Sequence, residues 1–140
     1  MFINFGNLNL FAIILAYFLY IVINLIWYSD YFFGKKRRLL KQISKEEMSE
    51  IKQKFGLINI GSFVSTIITS ILVSSTLAES LLDGLLLGLL LGFLVLSYLF
   101  NLIVYDKSQN LTNRLLVLFI DSGPILINFC LQSLILIFWK

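Results

Sequence analysis

Residues 81–105 read LLDGLLLGLLLGFLVLSYLFNLIVY, an apolar run that carries a single carboxylate near its start. A helix needs about 20 apolar residues to cross the roughly 30 Å hydrocarbon layer of a membrane. Three similar runs occupy residues 8–27, 55–77 and 115–139. They are continuous, whereas the strands of a membrane barrel alternate between apolar and polar residues. The sequence therefore predicts an all-α integral membrane protein, with residues 1–140 as one domain and four membrane spans in a bundle.

The composition excludes most soluble architectures and most catalytic chemistry. Of the 140 residues, 59% are hydrophobic and 14% are charged, against about 25% charged residues in an average soluble domain. The chain has no His, and so it lacks the imidazole of catalytic triads and of many metal sites. Its one thiol, Cys130, has no second Cys to pair with. Glu79 and Asp83 share a helix face without a visible third ligand. We expect no catalytic residue, no cofactor and no metal, and hence not an enzyme.

Charge is concentrated in the predicted connection, residues 29–54, between the first two spans. Of the 19 charged residues, 12 lie between positions 30 and 54. Basic residues in short loops mark the cytoplasmic side of a membrane, and the loop before the last span carries Lys107 and Arg114. We expect both connections to be cytoplasmic and both termini to lie outside a plasma or inner membrane. Four adjacent cations are interpreted as a topology signal that attracts anionic lipid head groups, and not as a nucleic-acid site. They are Lys35, Lys36, Arg37 and Arg38.

Local signals define the ends of the predicted elements. Trp27 and Tyr28 after the first run, and Trp139 after the last, are typical of aromatic anchors at the head-group level. Ser44 and Glu47 match the S-x-x-E capping box, which predicts a short helix in the connection. Apolar residues at positions 48, 51 and 55 would make this an amphipathic helix on the membrane surface, the alternative being a solvated linker.

Small residues predict where helices pack. Gly84, Gly88 and Gly92 form two overlapping GxxxG units on one face of the third span, a pattern that lets another helix approach closely. The second span carries hydroxyl side chains at four-residue spacing, among them Ser62, Thr66 and Ser70. We expect a tight contact between these two spans, although the glycines would also suit a helix of a second copy. A hydrophilic path is the functional alternative for the hydroxyls, but in spans they usually bond to backbone carbonyls.

One strongly polar residue lies near the cytoplasmic end of each span. The predicted intramembrane layer consists of Asn24, Asn59, Asn101 and Asp121. A carboxylate in hydrocarbon is costly, so Asp121 is expected to face the bundle interior, without a basic partner, and either to accept hydrogen bonds from amides or to remain protonated. Asn128 and Gln132 extend the same helix face. The cluster is interpreted as an interhelical clamp or, alternatively, as an ion site at which Pro124 frees a backbone carbonyl.

Several motifs, in their order along the chain, resemble those of a known family. They are Trp27-Tyr28-Ser29, Phe33-Gly34-Lys35, Asp83-Gly84 with Gly88 and Gly92, and LFIDSG at residues 118–123. Together they resemble the small four-span membrane family called domain of unknown function 1761 over nearly the whole chain. The resemblance implies a four-helix membrane protein without an established activity. The chain departs from the family pattern where residues 36–38 replace an aromatic, in a longer loop near Asp106, and at Pro124-Ile125, where an aromatic and a histidine are common.

Two classes of function fit these patterns. The first is a structural or interaction protein, which forms a homo-oligomer, most simply a dimer, or associates with another membrane protein. The second is a small carrier or channel, in which Asp121 responds to an ion or proton and the asparagines line a pathway. We expect the first, because one acid among amides is a narrow basis for a transport cycle.

Overall fold

The described part of the chain contains six helices, and the predicted all-α fold class is confirmed. The computed structural model describes residues 8–76, 79–106 and 110–139, without the side chains of residues 45, 51–53, 55, 57 and 58. Within these ranges every regular element is helical. The elements are α1 (Leu10–Trp27), α2 (Gly34–Lys41), α3 (Lys45–Gln53), α4 (Phe55–Ser75), α5 (Leu81–Tyr105) and α6 (Leu111–Phe138).

The apolar runs became the long helices. By length and apolar composition, α1, α5 and α6 are each sufficient to cross a membrane. The apolar part of α4, Asn59–Ser75, is shorter. Residue 77, the predicted end of the second span, and Lys107 lie outside the described residues. These helices identify the chain as a membrane protein.

The connection between α1 and α4 contains two helices where the sequence predicted one. The predicted capping box is confirmed: the Glu47 amide donates to Ser44 Oγ at 3.1 Å, and the Ser44 amide donates to the Glu47 carboxylate at 2.8 Å. These bonds satisfy free amides at the start of α3. The preceding helix, α2, was not predicted. It ends at Lys41 and is capped by Gln42, whose backbone is left-handed (φ 53°). Of the predicted apolar stripe, Met48 is half-buried, and the side chains at positions 51 and 55 lie outside the described part.

The last helix, α6, is the centre of the fold. Helices α1, α2, α4 and α5 all pack against α6, and α1 also packs against α4. The hydrophobic core lies between α1, α4 and the C-terminal half of α6. Its buried members are Ala12, Ile13, Val73, Leu136 and Ile137. This core therefore lies at the end of the bundle away from α2 and α3.

The glycine face of α5 packs on α6, and the predicted glycine contact with the second span is wrong. A Cβ at Gly88 would lie 2.5 Å from the Cys130 Cα, and at Gly84 and Gly92 it would lie 2.8 Å from side chains of α6. All three glycines are buried. The hydroxyl face of α4 also meets α6, because the Gln132 amide donates to Thr66 Oγ1 at 3.2 Å. Both small-residue faces thus pack on the same central helix rather than on each other.

The acidic pair Glu79 and Asp83 lies at the start of α5. Ser80 and Asp83 form a reciprocal capping box, in which the Asp83 amide donates to Ser80 Oγ at 3.2 Å and the Ser80 amide donates to Asp83 at 3.0 Å. The Glu79 amide also donates to the Asp83 carboxylate, at 3.3 Å. Asp83 therefore caps amides, as expected for a residue at the start of a span.

Candidate functional site

The corner between α1 and α2 is a tight reversal that returns the chain toward α6. The Phe33 amide donates to the Trp27 carbonyl at 3.1 Å, and the Gly34 amide donates to the Ser29 carbonyl at 3.0 Å. A side chain at Gly34 would overlap the backbone carbonyl of Tyr28, so this corner requires glycine. The reversal makes α2 run against α6, with Arg37 beside Asp121.

Asp121 is held by an arginine and a tyrosine from this corner. Arg37 Nε donates to Asp121 Oδ1 at 2.7 Å, and Arg37 Nη2 donates to Oδ2 at 3.0 Å. The Tyr28 hydroxyl donates to Oδ1 at 3.0 Å, and the Arg37 guanidinium lies 4.8 Å from the centre of the Tyr28 ring. The expectation that Asp121 has no basic partner and relies on amides is therefore wrong. The partner belongs to the basic cluster that was interpreted only as a topology signal.

The electrostatics keep Arg37 charged and Tyr28 protonated. Burial and the negative charge of Asp121 both raise the pKa of the Tyr28 hydroxyl far above its ordinary value. Burial opposes the charge of Arg37, but the hydrogen bond and charge of Asp121 outweigh it and raise the pKa of the guanidinium. Burial and the charge of Arg37 lower the pKa of the Lys41 ammonium. The result is a hydrogen-bonded ion pair between Arg37 and Asp121 with the Lys41 side chain nearby.

Trp27 donates a hydrogen bond to a backbone carbonyl of α6 that Pro124 leaves without its helical donor. Pro124 has no amide hydrogen, so the carbonyl four residues before it, on Ile120, loses its bond within α6. The Trp27 indole N–H donates to this carbonyl at 2.9 Å. A side chain at Gly123 would overlap the Trp27 ring. The Ile120 carbonyl thus has a donor within the protein, so it is not available as the ion ligand that the sequence suggested. Trp27 is also a packing residue at the end of α1.

The asparagine layer does not form one cluster. The Asn24 amide donates to the Tyr20 carbonyl of its own helix at 2.8 Å. The backbone carbonyl of half-buried Asn59 accepts from the Tyr17 hydroxyl at 3.3 Å. Asn101, on α5, is exposed. Asn24 and Asn59 line one cavity, and Asp121 lines the neighbouring one.

A second polar group lies deeper, between α4 and α6. Gln132 and Asn128 are almost fully buried, at 4% and 3% exposure. Gln132 bonds to Thr66, whose hydroxyl donates to the Ser62 carbonyl at 3.0 Å. Ser70 is also buried. The prediction that span hydroxyls bond to backbone carbonyls is confirmed for Thr66, so this group packs two helices together.

Two cavities flank the Arg37–Asp121 pair. The arginine cavity, of about 450 Å³, is lined by Arg37, Tyr28 and Asn59 among others. The aspartate cavity, of about 590 Å³, is lined by Asp121 and by charged side chains of α3 and α6. Ile43 lines both. The ion pair therefore lies where the two cavities approach each other, at the α2–α3 end of the bundle.

The four cations of the basic cluster have three different environments. Lys35 and Lys36 are exposed, as a topology signal requires, whereas Arg37 is paired with Asp121. Arg38 forms an ion pair with Asp30. Among the described side chains, no group of three acids or thiols is placed to hold a metal ion.

Comparison with known proteins places the chain in a family without a known function. The family profile described as protein of unknown function (DUF1761) matches residues 11–137, and the chain belongs to that family. No curated protein and no solved structure matches the chain. The motifs that carried the resemblance in the sequence converge at this site, since Tyr28, Gly34, Asp121 and Gly123 come from three of them. Only Asp121 was predicted as a functional residue, although the motifs already contained the others.

Proposed function

We propose that the protein is a four-span integral membrane protein of the plasma or inner membrane, with a structural or interaction role and no catalytic chemistry. The observation that carries this proposal is the Arg37–Asp121 pair. Asp121 is the deepest carboxylate of the described spans, and Arg37 of the same chain neutralises it. The pair thereby joins the α1–α2 corner to α6. In this proposal the protein needs no cofactor, binds no nucleic acid and contacts lipid head groups through Lys35 and Lys36.

The proposed role of the Arg37–Asp121 pair as a clamp between the α1–α2 corner and α6 is tested by exchanging the charges of the two residues. The pair is partly buried, with the Arg37 and Asp121 side chains 27% and 18% exposed, so removing one partner leaves the other partly desolvated and unpaired. We expect Arg37→Asp and Asp121→Arg each to lower the unfolding temperature in detergent, and the double exchange to recover a large part of the loss. Asp121→Asn, which keeps the shape and one acceptor oxygen for Arg37 Nε and the Tyr28 hydroxyl but loses the second acceptor and the charge, should be milder than Asp121→Leu. Equal losses in the single and double exchanges would refute the clamp.

The proposed association with a second copy requires a surface other than the glycine face, which α6 covers. Helix α5 packs mainly on α6, and Leu86, Leu90 and Leu94 on α5 are exposed. We propose that this surface contacts a second copy, or another membrane protein. The test is the mass of the protein in mild detergent by light scattering, corrected for bound detergent and lipid. A dimer that Leu90→Trp dissociates supports the proposal, and a monomer at all concentrations contradicts homo-oligomerisation.

A small carrier is the second candidate, and the two cavities favour it. If the Arg37–Asp121 pair opened, the arginine and aspartate cavities could join. Proteoliposomes loaded with a pH-sensitive dye would report proton movement, with chloride and potassium measured in parallel by ion electrodes. Flux that Asp121→Asn abolishes, while the protein keeps its fold, would replace the interaction proposal by the carrier.

A further inference from the structure

One amide on the outer face of α5 has no partner within the described part of the chain. At about 100° per residue, Asn101 lies about 140° around the helix from Gly88, which packs against the backbone of α6. The Asn101 side chain is exposed, and no hydrogen bond joins it to the described residues. It therefore points away from α6, with its amide hydrogens and its oxygen available to a group outside these residues.

Comparable polar side chains of the spans bond within their own helices. The hydroxyl of Ser97, one turn earlier on the same exposed face, donates to the Leu94 carbonyl at 2.8 Å. The amide of Asn24, near the end of α1, donates to the Tyr20 carbonyl at 2.8 Å. Such bonds to the preceding turn are the usual way for a span to satisfy a polar side chain. Asn101 differs from both, so its amide needs another explanation.

The surface around Asn101 consists of large leucine and tyrosine side chains. The exposed side chains on the same face are Leu90, Leu94, Tyr98 and Tyr105. Together with Asn101 they fall within an arc of about 80°, which forms one continuous stripe along α5. Asn101 lies four residues, about 6 Å, before the end of the helix. Lipid chains offer no hydrogen bond to an amide at this depth, whereas a second helix on the stripe would supply one and bury the apolar side chains as well.

A second copy of the chain is the partner that matches this stripe. All copies enter the membrane in the same orientation, because the same basic residues determine it. In a dimer with a two-fold axis along the membrane normal, a given residue of each copy therefore lies at the same depth. A carboxamide is both donor and acceptor, so two Asn101 side chains that meet at the axis complement each other.

We infer that Asn101 of one copy and Asn101 of a second copy form reciprocal hydrogen bonds across a two-fold axis, with the two α5 helices in contact along Leu90, Leu94 and Tyr98. This inference rests on the proposed homo-oligomer and deepens it, because it names the residue that fixes the register of the interface. One polar residue in an otherwise apolar helix interface specifies register and the number of chains.

The dissociation constant of the full-length dimer tests the inference. It is measured by sedimentation equilibrium in density-matched mild detergent. Asn101→Leu keeps the apolar stripe and removes the amide, and we expect it to weaken the dimer about tenfold or more, the effect of losing two interhelical hydrogen bonds. Asn101→Gln keeps an amide and should stay within about threefold of the wild type. The unfolding temperature of the monomer should not fall in either variant, because the amide makes no bond to the described residues of its own chain.

Two controls separate the amide from the rest of the surface. Ser97→Ala removes a polar group from the same face, but its hydroxyl already bonds to the Leu94 carbonyl, so it should change the dissociation constant by no more than about twofold. Disulfide cross-linking in a Cys130→Ser background locates the interface directly. A cysteine at Leu94 should cross-link two copies, whereas a cysteine at Ile14, on the exposed face of α1, should not.

Three results would overturn the inference, and they differ from one another. A dimer that Leu90→Trp dissociates but Asn101→Leu leaves unchanged would keep the proposed association and remove the role of Asn101. A dimer that cross-links through Ile14 and not through Leu94 would assign the interface to α1. A wild-type monomer at all concentrations would contradict the homo-oligomer itself, and the inference with it.

Discussion

Residues of the α1–α2 corner bond to polar groups of α6 that would otherwise lack a partner. Pro124 leaves the Ile120 carbonyl without its helical donor, and Trp27 supplies one from 93 residues away. Asp121 brings a charge into the bundle, and Arg37 and Tyr28 neutralise and bond it. In a low-dielectric interior an unpaired polar group is costly. These bonds therefore explain why the corner packs where it does.

Trp27→Phe tests the bond to the Ile120 carbonyl. The ring packing is largely kept, but the indole N–H is lost, so the carbonyl is left without its donor. We expect destabilisation of about 1–3 kcal/mol, measured as a lower unfolding temperature in detergent. Trp139→Phe at the other end of the bundle is the control and should change stability less. Equal effects of the two substitutions would show that the Ile120 bond contributes little.

Lys41 makes stability depend on pH. Burial and the charge of Arg37 lower its pKa in the folded protein below the ordinary value of the unfolded chain. The protonated form is therefore disfavoured by folding, and its contribution to stability improves as pH rises through the lowered pKa. Lys41→Gln should raise the unfolding temperature at pH 7 by a few degrees, and by less at pH 10. A gain that is the same at both pH values would rule out a charge effect.

At the scale of elements, the glycines decide which helices touch. A face without side chains allows α5 to approach α6 until the Gly88 position lies against the Cys130 backbone. Close approach increases van der Waals contact, a principal source of helix association in a membrane. Helix α2, in contrast, is held in place by its contacts and not by its own sequence. The sequence GKKRRLLK places cations at the positive end of the helix dipole, which is unfavourable, and α2 packs against α6.

Gly88→Ala should separate α5 from α6. The added Cβ would lie 2.5 Å from a backbone atom, so the helices must move apart, at a cost of about 1–3 kcal/mol typical of overpacking. Gly61→Ala is the matched control, because nothing lies within 4 Å of a Cβ there. It should be neutral or slightly stabilising, since alanine favours helix over glycine. The readout is unfolding followed by circular dichroism, and an equally mild Gly88→Ala would contradict the proposed α5–α6 packing.

At the scale of the whole molecule, charge and packing define two different ends. The α2–α3 end holds the exposed Lys35 and Lys36, the ion pair and both cavities. The opposite end holds the tightly packed core and the capped start of α5. Under the positive-inside rule, the end with the exposed Lys35 and Lys36 is the one expected at the cytoplasmic face.

The proposed orientation predicts which side of the membrane each end faces. In a Cys130→Ser background, a cysteine at Lys36 should react with a membrane-impermeant maleimide only after the cytoplasmic side is exposed. A cysteine at Glu79 should react from the outside of intact cells. Labelling of both positions from one side would contradict the four-span topology.

The positions of the long helices and their caps were predictable from the sequence, because apolar length and capping depend on residues close together in the chain. The four apolar runs correspond to α1, α4, α5 and α6, and the Ser44–Glu47 box starts α3. The partners of Asp121 and of the glycine face were decided only by the tertiary structure. Arg37 and Asp121 are 84 residues apart, and the sequence patterns place residues on helix faces without specifying which faces meet. That choice depends on the packing of all the helices around α6.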